Sequence, residues 1–199
     1  MVHPLVLAST SPYRAELLRR LGLPFEAVAP GVDESPQGAE TPGARALRLA
    51  RAKALAVVAR YPGSWVIGSD QVADLEGRIL GKPGDAGRCR AQLAAESGRV
   101  VVFHTAAVLM RQGARTDYEH VDITSVRFRS LAASEIDRYV ELERPFDCAG
   151  GFRSEGLGAA LFDSMETHDP AALVGLPLIW LAGALRSAGL DPLAQTEGV

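Results

Sequence analysis

The sequence predicts an α/β protein, with helices packed against a sheet that mixes parallel and antiparallel strands. Three observations predict it. Short β-branched apolar runs alternate with helix-period segments over the first half of the chain, the pattern of strand and helix units. Proline follows serine or threonine where two of those helices begin, at Ser11-Pro12 and Thr41-Pro42, which caps the first turn and presets its φ. Further on, Val100 to Met110 and His120 to Arg129 flank Gln112-Gly113, as two long antiparallel strands would.

Taken in order, Leu5 to Ala8 reads as a buried strand, and the helix that follows carries Leu17, Leu18 and Leu21 and ends at Gly22. A strand, loop and helix start of this kind turns backbone N–H groups toward an anion, although many α/β proteins begin so without binding one. Phe25 to Ala29 forms a second strand, leading to the loop Pro30-Gly31-Val32-Asp33-Glu34. The helix opened by Thr41 reaches about Arg60, with Leu47, Ala50, Ala54 and Val57 on its apolar face. Lys53 lies close to that face, and by spacing alone it reads as a lysine whose stem lies on apolar surface while its ammonium reaches water. Trp65 to Asp70 reads as a central strand with Asp70 and Gln71 near its end, where α/β folds place chemistry. Glu76-Gly77 marks a hairpin turn; Asp85 to Glu96, Ala133 to Leu142 and about Pro177 to Ser187 read as helices. The glycines of Cys148-Ala149-Gly150-Gly151 and Glu155-Gly156-Leu157-Gly158 mark close backbone approaches, and a polar tail from about residue 190 is expected to be loose.

Bulk properties narrow the functions. With 199 residues and 47% hydrophobic content the chain can bury a sizeable core as one folding unit spanning 1–199. Its 24 acidic and 21 basic residues give a net charge of -3, which supplies no global field for a polymeric nucleic acid but leaves room for a small anion held by local cations. No apolar stretch is long enough to span a membrane, and Met1 to Leu7 lacks the cationic start of a signal peptide, so the cytoplasm is the expected location. Cys89 and Cys148 fit no paired-ligand spacing, and neither do His3, His104, His120 and His168. Arg14, Arg19, Arg20, Arg45, Arg48 and Arg51 read mostly as solvated helix faces.

The segments Leu7-Ala8-Ser9-Thr10-Ser11-Pro12-Tyr13-Arg14, Val32-Asp33-Glu34, Arg48-Leu49-Ala50-Arg51-Ala52-Lys53-Ala54, Gly68-Ser69-Asp70-Gln71, Gly81-Lys82-Pro83 and Gly175-Leu176-Pro177 carry a further signal. In order and spacing the chain resembles the Maf-like nucleoside triphosphate pyrophosphatases over nearly its whole length. Within that family it is most similar to the YceF-type branch, which hydrolyses 7-methyl-GTP, because Tyr13, Gln71 and Glu155 match that branch. The resemblance implies a long twisted mixed β-sheet flanked by helices, in two lobes around a central cleft, the Maf/ITPase-like fold. It implies that Ser9, Arg14, Lys53 and Lys82 bind the phosphates, that Glu34 and Asp70 hold a divalent metal cation, Mg2+ or Mn2+, and that Asp70 is the catalytic base. Tyr13, Gln71 and Glu155 would set substrate specificity. The substrate is then a nucleoside triphosphate, and family members are commonly homodimers.

The carried-over roles make chemical sense. A triphosphate needs its charges neutralised and the attacking water oriented. Methylation at N7 makes guanine cationic, so stacking on Tyr13 gains about 1 to 2 kcal/mol when desolvated, and a carboxylate at Glu155 can accept from both guanine N1–H and the exocyclic amine. Gln71 is left between two roles, a base edge or the metal shell. Two positions depart from the pattern: Ala15 replaces a second arginine, removing a phosphate or helix-terminus contact unless Arg19 supplies it, and Gly151 stands where serine is common. The competing expectations are a pyrophosphatase for dTTP, UTP or another modified nucleotide, and a nucleotide-sensing regulator of cell division or septum formation.

Overall fold

The computed structural model describes residues 4–114 and 117–194. His3 and the tail beyond residue 194 lie outside the described residues, whereas Leu190, at the start of the expected loose tail, packs on the core. The elements are β1 (Leu5–Leu7), α1 (Pro12–Arg19), β2 (Glu26–Ala27), α2 (Pro42–Val58), β3 (Trp65–Leu75), β4 (Arg78–Leu80), α3 (Ala86–Glu96), β5 (Val100–Met110), β6 (Tyr118–Phe128), α4 (Ala133–Glu143), β7 (Phe162–Glu166) and α5 (Leu178–Ser187). Capping follows the sequence: Ser11, Thr41 and Asp85 accept from backbone N–H groups three residues on, and proline fills the first turn of α1 and α2.

The strands form a mixed sheet in the order β2-β1-β3-β5-β6-β7, with β4 paired to β3. β1 runs parallel to β2 and β3, and every other pairing is antiparallel. Buried side chains gather in separate clusters along it. Ala73, Leu75, Val101, Phe103 and Val126 join α3, α4 and Phe152 at one end. At the other end, Leu5, Leu7, Ile67 and Leu109 pack with α1 and α5 on one face, while Val6, Val66 and Val108 pack with α2 on the opposite face. This is the predicted α/β architecture, and β3 and β5 thread all three clusters.

One expectation about β3 needs correction. Asp70 does not stand near a strand end: β3 continues to Leu75, and Asp70 pairs with Ala106 in mid-strand. The strand continues because Val72, Ala73 and Leu75 are buried, so it reaches from one cluster into the next, and Asp70, itself buried, lies between them at the cleft. Gly68 explains the closeness of α2. A Cβ there would meet the Ala50 carbonyl oxygen at 2.1 Å and the Ala54 Cβ at 2.9 Å, so only glycine lets the helix backbone settle onto the strand.

Candidate active site

All nine residues singled out in the sequence, Ser9, Tyr13, Arg14, Glu34, Lys53, Asp70, Gln71, Lys82 and Glu155, line one cleft of about 480 Å³. At its centre Lys53 Nζ lies 2.6 Å from Asp70 Oδ1 and 2.7 Å from Glu34 Oε1. Lys53 is 6% exposed, so its ammonium does not reach water in the way spacing alone suggested. A buried ammonium is stable there because two carboxylates replace its lost hydration. Its position follows from the fold: α2 rests on Gly68, and the next strand residue facing the helix is Asp70. Arg45 Nη2 donates to the Glu34 carbonyl at 3.2 Å and so holds the loop that brings Glu34 over; Arg45 also lines the cleft, a role hidden while it was read among solvated arginines.

Arg14 comes from the first turn of α1. Its Nε donates to the Gly175 carbonyl at 2.9 Å, which also accepts from Ser69 Oγ at 2.9 Å. Gly175 has φ +124 and its backbone lies against the Arg14 side chain, which accounts for glycine in that motif. Burial draws the Arg14 guanidinium below its ordinary value, while Asp70 and Glu34 act in the opposite direction. Burial alone would raise the Glu34 carboxyl, but the hydrogen bond and charge of Lys53, helped by Lys82 and Arg14, carry it below the ordinary glutamate value. Four cations (Arg14, Arg45, Lys53, Lys82) thus line this part of the cleft against two acids (Glu34, Asp70), a local excess the net charge of -3 does not reveal. Ser9 is buried, and its Oγ accepts from the Ser11 N–H at 3.1 Å.

Gln71 Nε2 is directed at Thr105 Oγ1 and the carbonyls of Ala172 and Leu173, each at 3.0 Å. Its carbonyl oxygen is the part of the amide with no hydrogen bond among the described residues. Glu155 accepts from Ser154 Oγ at 2.9 Å and is carried by the glycine-bearing segment after α4. Here Gly150 and Gly151 take φ +81 and φ +66, and a Cβ on Gly158 would meet the Arg153 carbonyl oxygen at 2.1 Å, so the expected close approaches are real. Phe152 anchors the segment by edge contacts to Phe103, Phe128 and Phe162 with centroids 4.9 to 5.5 Å apart, worth roughly 1 kcal/mol each. Ala15 is buried among apolar side chains and Arg19 pairs with Glu16 at 2.8 Å, so neither contributes a cation to the cleft. Cys89 and Cys148 are both free thiols.

A model of the Maf-like protein family matches residues 4–188. The chain belongs to the Maf-like family. Among Maf-like relatives, the 7-methyl-GTP pyrophosphatase of Xanthomonas oryzae pv. oryzae (strain KACC10331 / KXO85) is 55% identical, covering 95% of this chain and 98% of that one. The 7-methyl-GTP pyrophosphatases of Bordetella avium (strain 197N) and Ralstonia nicotianae (strain ATCC BAA-1114 / GMI1000) are 52% and 54% identical, over 95% and 92% of this Maf-like chain and 95% of each relative. The solved structure of the Staphylococcus aureus Ham1 protein is similar over 92% of this chain and 98% of that one, with a TM-score of 0.49 at 13% identity.

Two further residues of this Maf-like cleft escaped the sequence reading. Asp147 and Arg153 both line it and meet at 3.3 Å. Neither falls in a periodic pattern, and the one available signal was that they flank the glycines already marked for close packing.

Proposed function

We propose that this chain is a nucleoside triphosphate pyrophosphatase that hydrolyses 7-methyl-GTP to 7-methyl-GMP and pyrophosphate. The observation that carries the proposal is the convergence of Glu34 and Asp70 on a single cation within a cleft also lined by Arg14, Lys82, Tyr13 and Glu155. The names of the relatives above point the same way.

Asp70 accepts the proton of a water that attacks the α-phosphorus, and the bond from that phosphorus to the bridging oxygen of the β-phosphate breaks, releasing pyrophosphate. Arg14 offers a rigid fork to phosphate oxygens while Lys53 and Lys82 offer point charges, and Ser9 donates its hydroxyl. Tyr13 stacks on the base, and Glu155 accepts from the donors on the guanine edge. Gln71, with its N–H groups already committed, can present only an acceptor to a ligand.

The donor set fits a hard divalent cation, since two carboxylate oxygens already lie within 2.7 Å of one positive charge. No group of three or more His, Cys, Asp or Glu side chains gathers among the described residues, so Glu34 and Asp70 are the two side chains this cleft would offer such a cation. Glu34 and Asp70 would hold Mg2+ or Mn2+, whose chemistry when bound is to neutralise phosphate charge and acidify water.

A panel of nucleoside triphosphates with pyrophosphate detection tests the reading. 7-Methyl-GTP is expected to turn over fastest, and faster turnover of UTP or dTTP would overturn the substrate. Asp70→Asn is expected to lose about 10²- to 10⁴-fold in kcat. A fully active variant removes Asp70 as base, and a wild type that binds nucleotides but hydrolyses none with Mg2+ or Mn2+ present would make the protein a sensor.

A further inference from the structure

Tyr13 is tethered in the cleft. Its hydroxyl donates to Asp147 Oδ2 at 3.2 Å, and Arg153 Nη2 donates to Asp147 Oδ1 at 3.3 Å. The Arg153 guanidinium carbon lies 5.8 Å from the centroid of the Tyr13 ring, within the range of a cation–π contact. Arg153 is held in turn through its backbone. The Arg153 N–H donates to Tyr139 Oη on α4 at 3.0 Å, and its carbonyl accepts from Gly156 and Gly158 at 3.3 and 3.1 Å. A segment fixed to α4 therefore fixes the tip of a side chain on α1.

This has two physical consequences for the ring. A phenol held at its hydroxyl and covered on one face by a guanidinium no longer turns freely about χ2, so the opposite face is presented in a set plane. A hydroxyl donating to a carboxylate also leaves the ring richer in π density, which strengthens its attraction for a cation. Asp147 meanwhile balances the charge of Arg153, so a second cation approaching the ring meets a neutral pair.

We infer that Asp147 is a positioning residue for base specificity: held by Arg153, it fixes and enriches the Tyr13 ring on which a cationic purine stacks. The inference rests on the proposed recognition of 7-methyl-GTP by Tyr13. It gives the Tyr13 hydroxyl a role that a phenylalanine ring could not fill.

The test is kcat and KM for 7-methyl-GTP and GTP in the wild type, Tyr13→Ala, Tyr13→Phe, Asp147→Asn and the double variant Tyr13→Phe/Asp147→Asn, with thermal melts of each. Asp147→Asn is expected to lower the preference for 7-methyl-GTP over GTP, as a ratio of kcat/KM, about three- to tenfold. The loss should lie in KM, with kcat within about twofold. Tyr13→Phe removes the hydrogen bond outright, whereas Asp147→Asn keeps a weaker, neutral acceptor, so Tyr13→Phe should lose at least as much preference, and the double variant should be no worse than Tyr13→Phe alone. Tyr13→Phe also carries the test should Asp147→Asn fail to fold. An unchanged preference in Asp147→Asn or Tyr13→Phe, or losses that multiply in the double variant, overturns the inference. If Tyr13→Ala keeps the full preference, the stacking reading itself fails; if Tyr13→Ala loses it while Asp147→Asn keeps it, the positioning role alone fails.

Discussion

Lys53 and Glu96 are both charged residues on the inner side of a helix, and their surroundings differ completely. Lys53 shares two carboxylates. Glu96 is fully buried at the end of α3, with neither oxygen hydrogen-bonded among the described residues. Burial pushes the Glu96 carboxyl well above its ordinary value, against the influence of Gln92. The folded value therefore exceeds the unfolded one, and this group's contribution to stability is present in acid and lost as pH climbs from about 4.5 through the folded value. Glu96→Gln, which does not titrate, should be more stable than the wild type at pH 8. Its advantage should open by up to about 1.4 kcal/mol per pH unit above the unfolded value. Denaturant melts at pH 5 and pH 8 check this, and an advantage that does not grow with pH would count against a protonated Glu96. Periodicity showed Lys53 to be awkwardly placed but said nothing of its partners, because Glu34 and Asp70 reach it from other elements.

At the level of elements, the contact between α2 and β3 sets where Lys53 and Asp70 meet. The Gly68-Ser69-Asp70-Gln71 motif holds a residue without a side chain two positions before the acid, and the missing Cβ is what admits the Ala50 and Ala54 backbone. Gly68→Ala should therefore push α2 away, destabilise the fold by roughly 1 to 3 kcal/mol as overpacking does, and separate Lys53 from Asp70. Thermal melts and kcat/KM measure both effects, and a variant equal to wild type in each would refute the close packing. The sequence revealed five helices and the long strands because their caps, periodicities and turn residues are local signals. It hid β7, whose Phe162–Glu166 shows mostly exposed side chains on a sheet edge and no alternation. It also misplaced Asp70 at a strand end, because a polar pair within a long buried strand reads as a boundary until the second core beyond it is known.

At the scale of the molecule, all nine residues drawn from the family pattern meet in one cleft, while Asp147 and Arg153 needed three dimensions. The resemblance carried residue identities across, but who holds whom depends on packing between elements far apart in the chain. The cleft opens where the hydrophobic clusters divide, and we expect those clusters to unfold as one unit because continuous strands join them. Scanning calorimetry should show one transition whose van't Hoff and calorimetric enthalpies agree; two resolved peaks would mean that the lobes come apart independently.

The threading of β3 and β5 through all three clusters has a further effect. The β3–β5 ladder beneath the cleft is unbroken, so these two strands offer no hinge of their own, and narrowing around a guest would come from sheet twist or from the loops at the rim. The chain also crosses from one core to the other several times. No single cut yields two fragments that each own a whole wall, and transplanting one wall onto another scaffold would leave its footing behind.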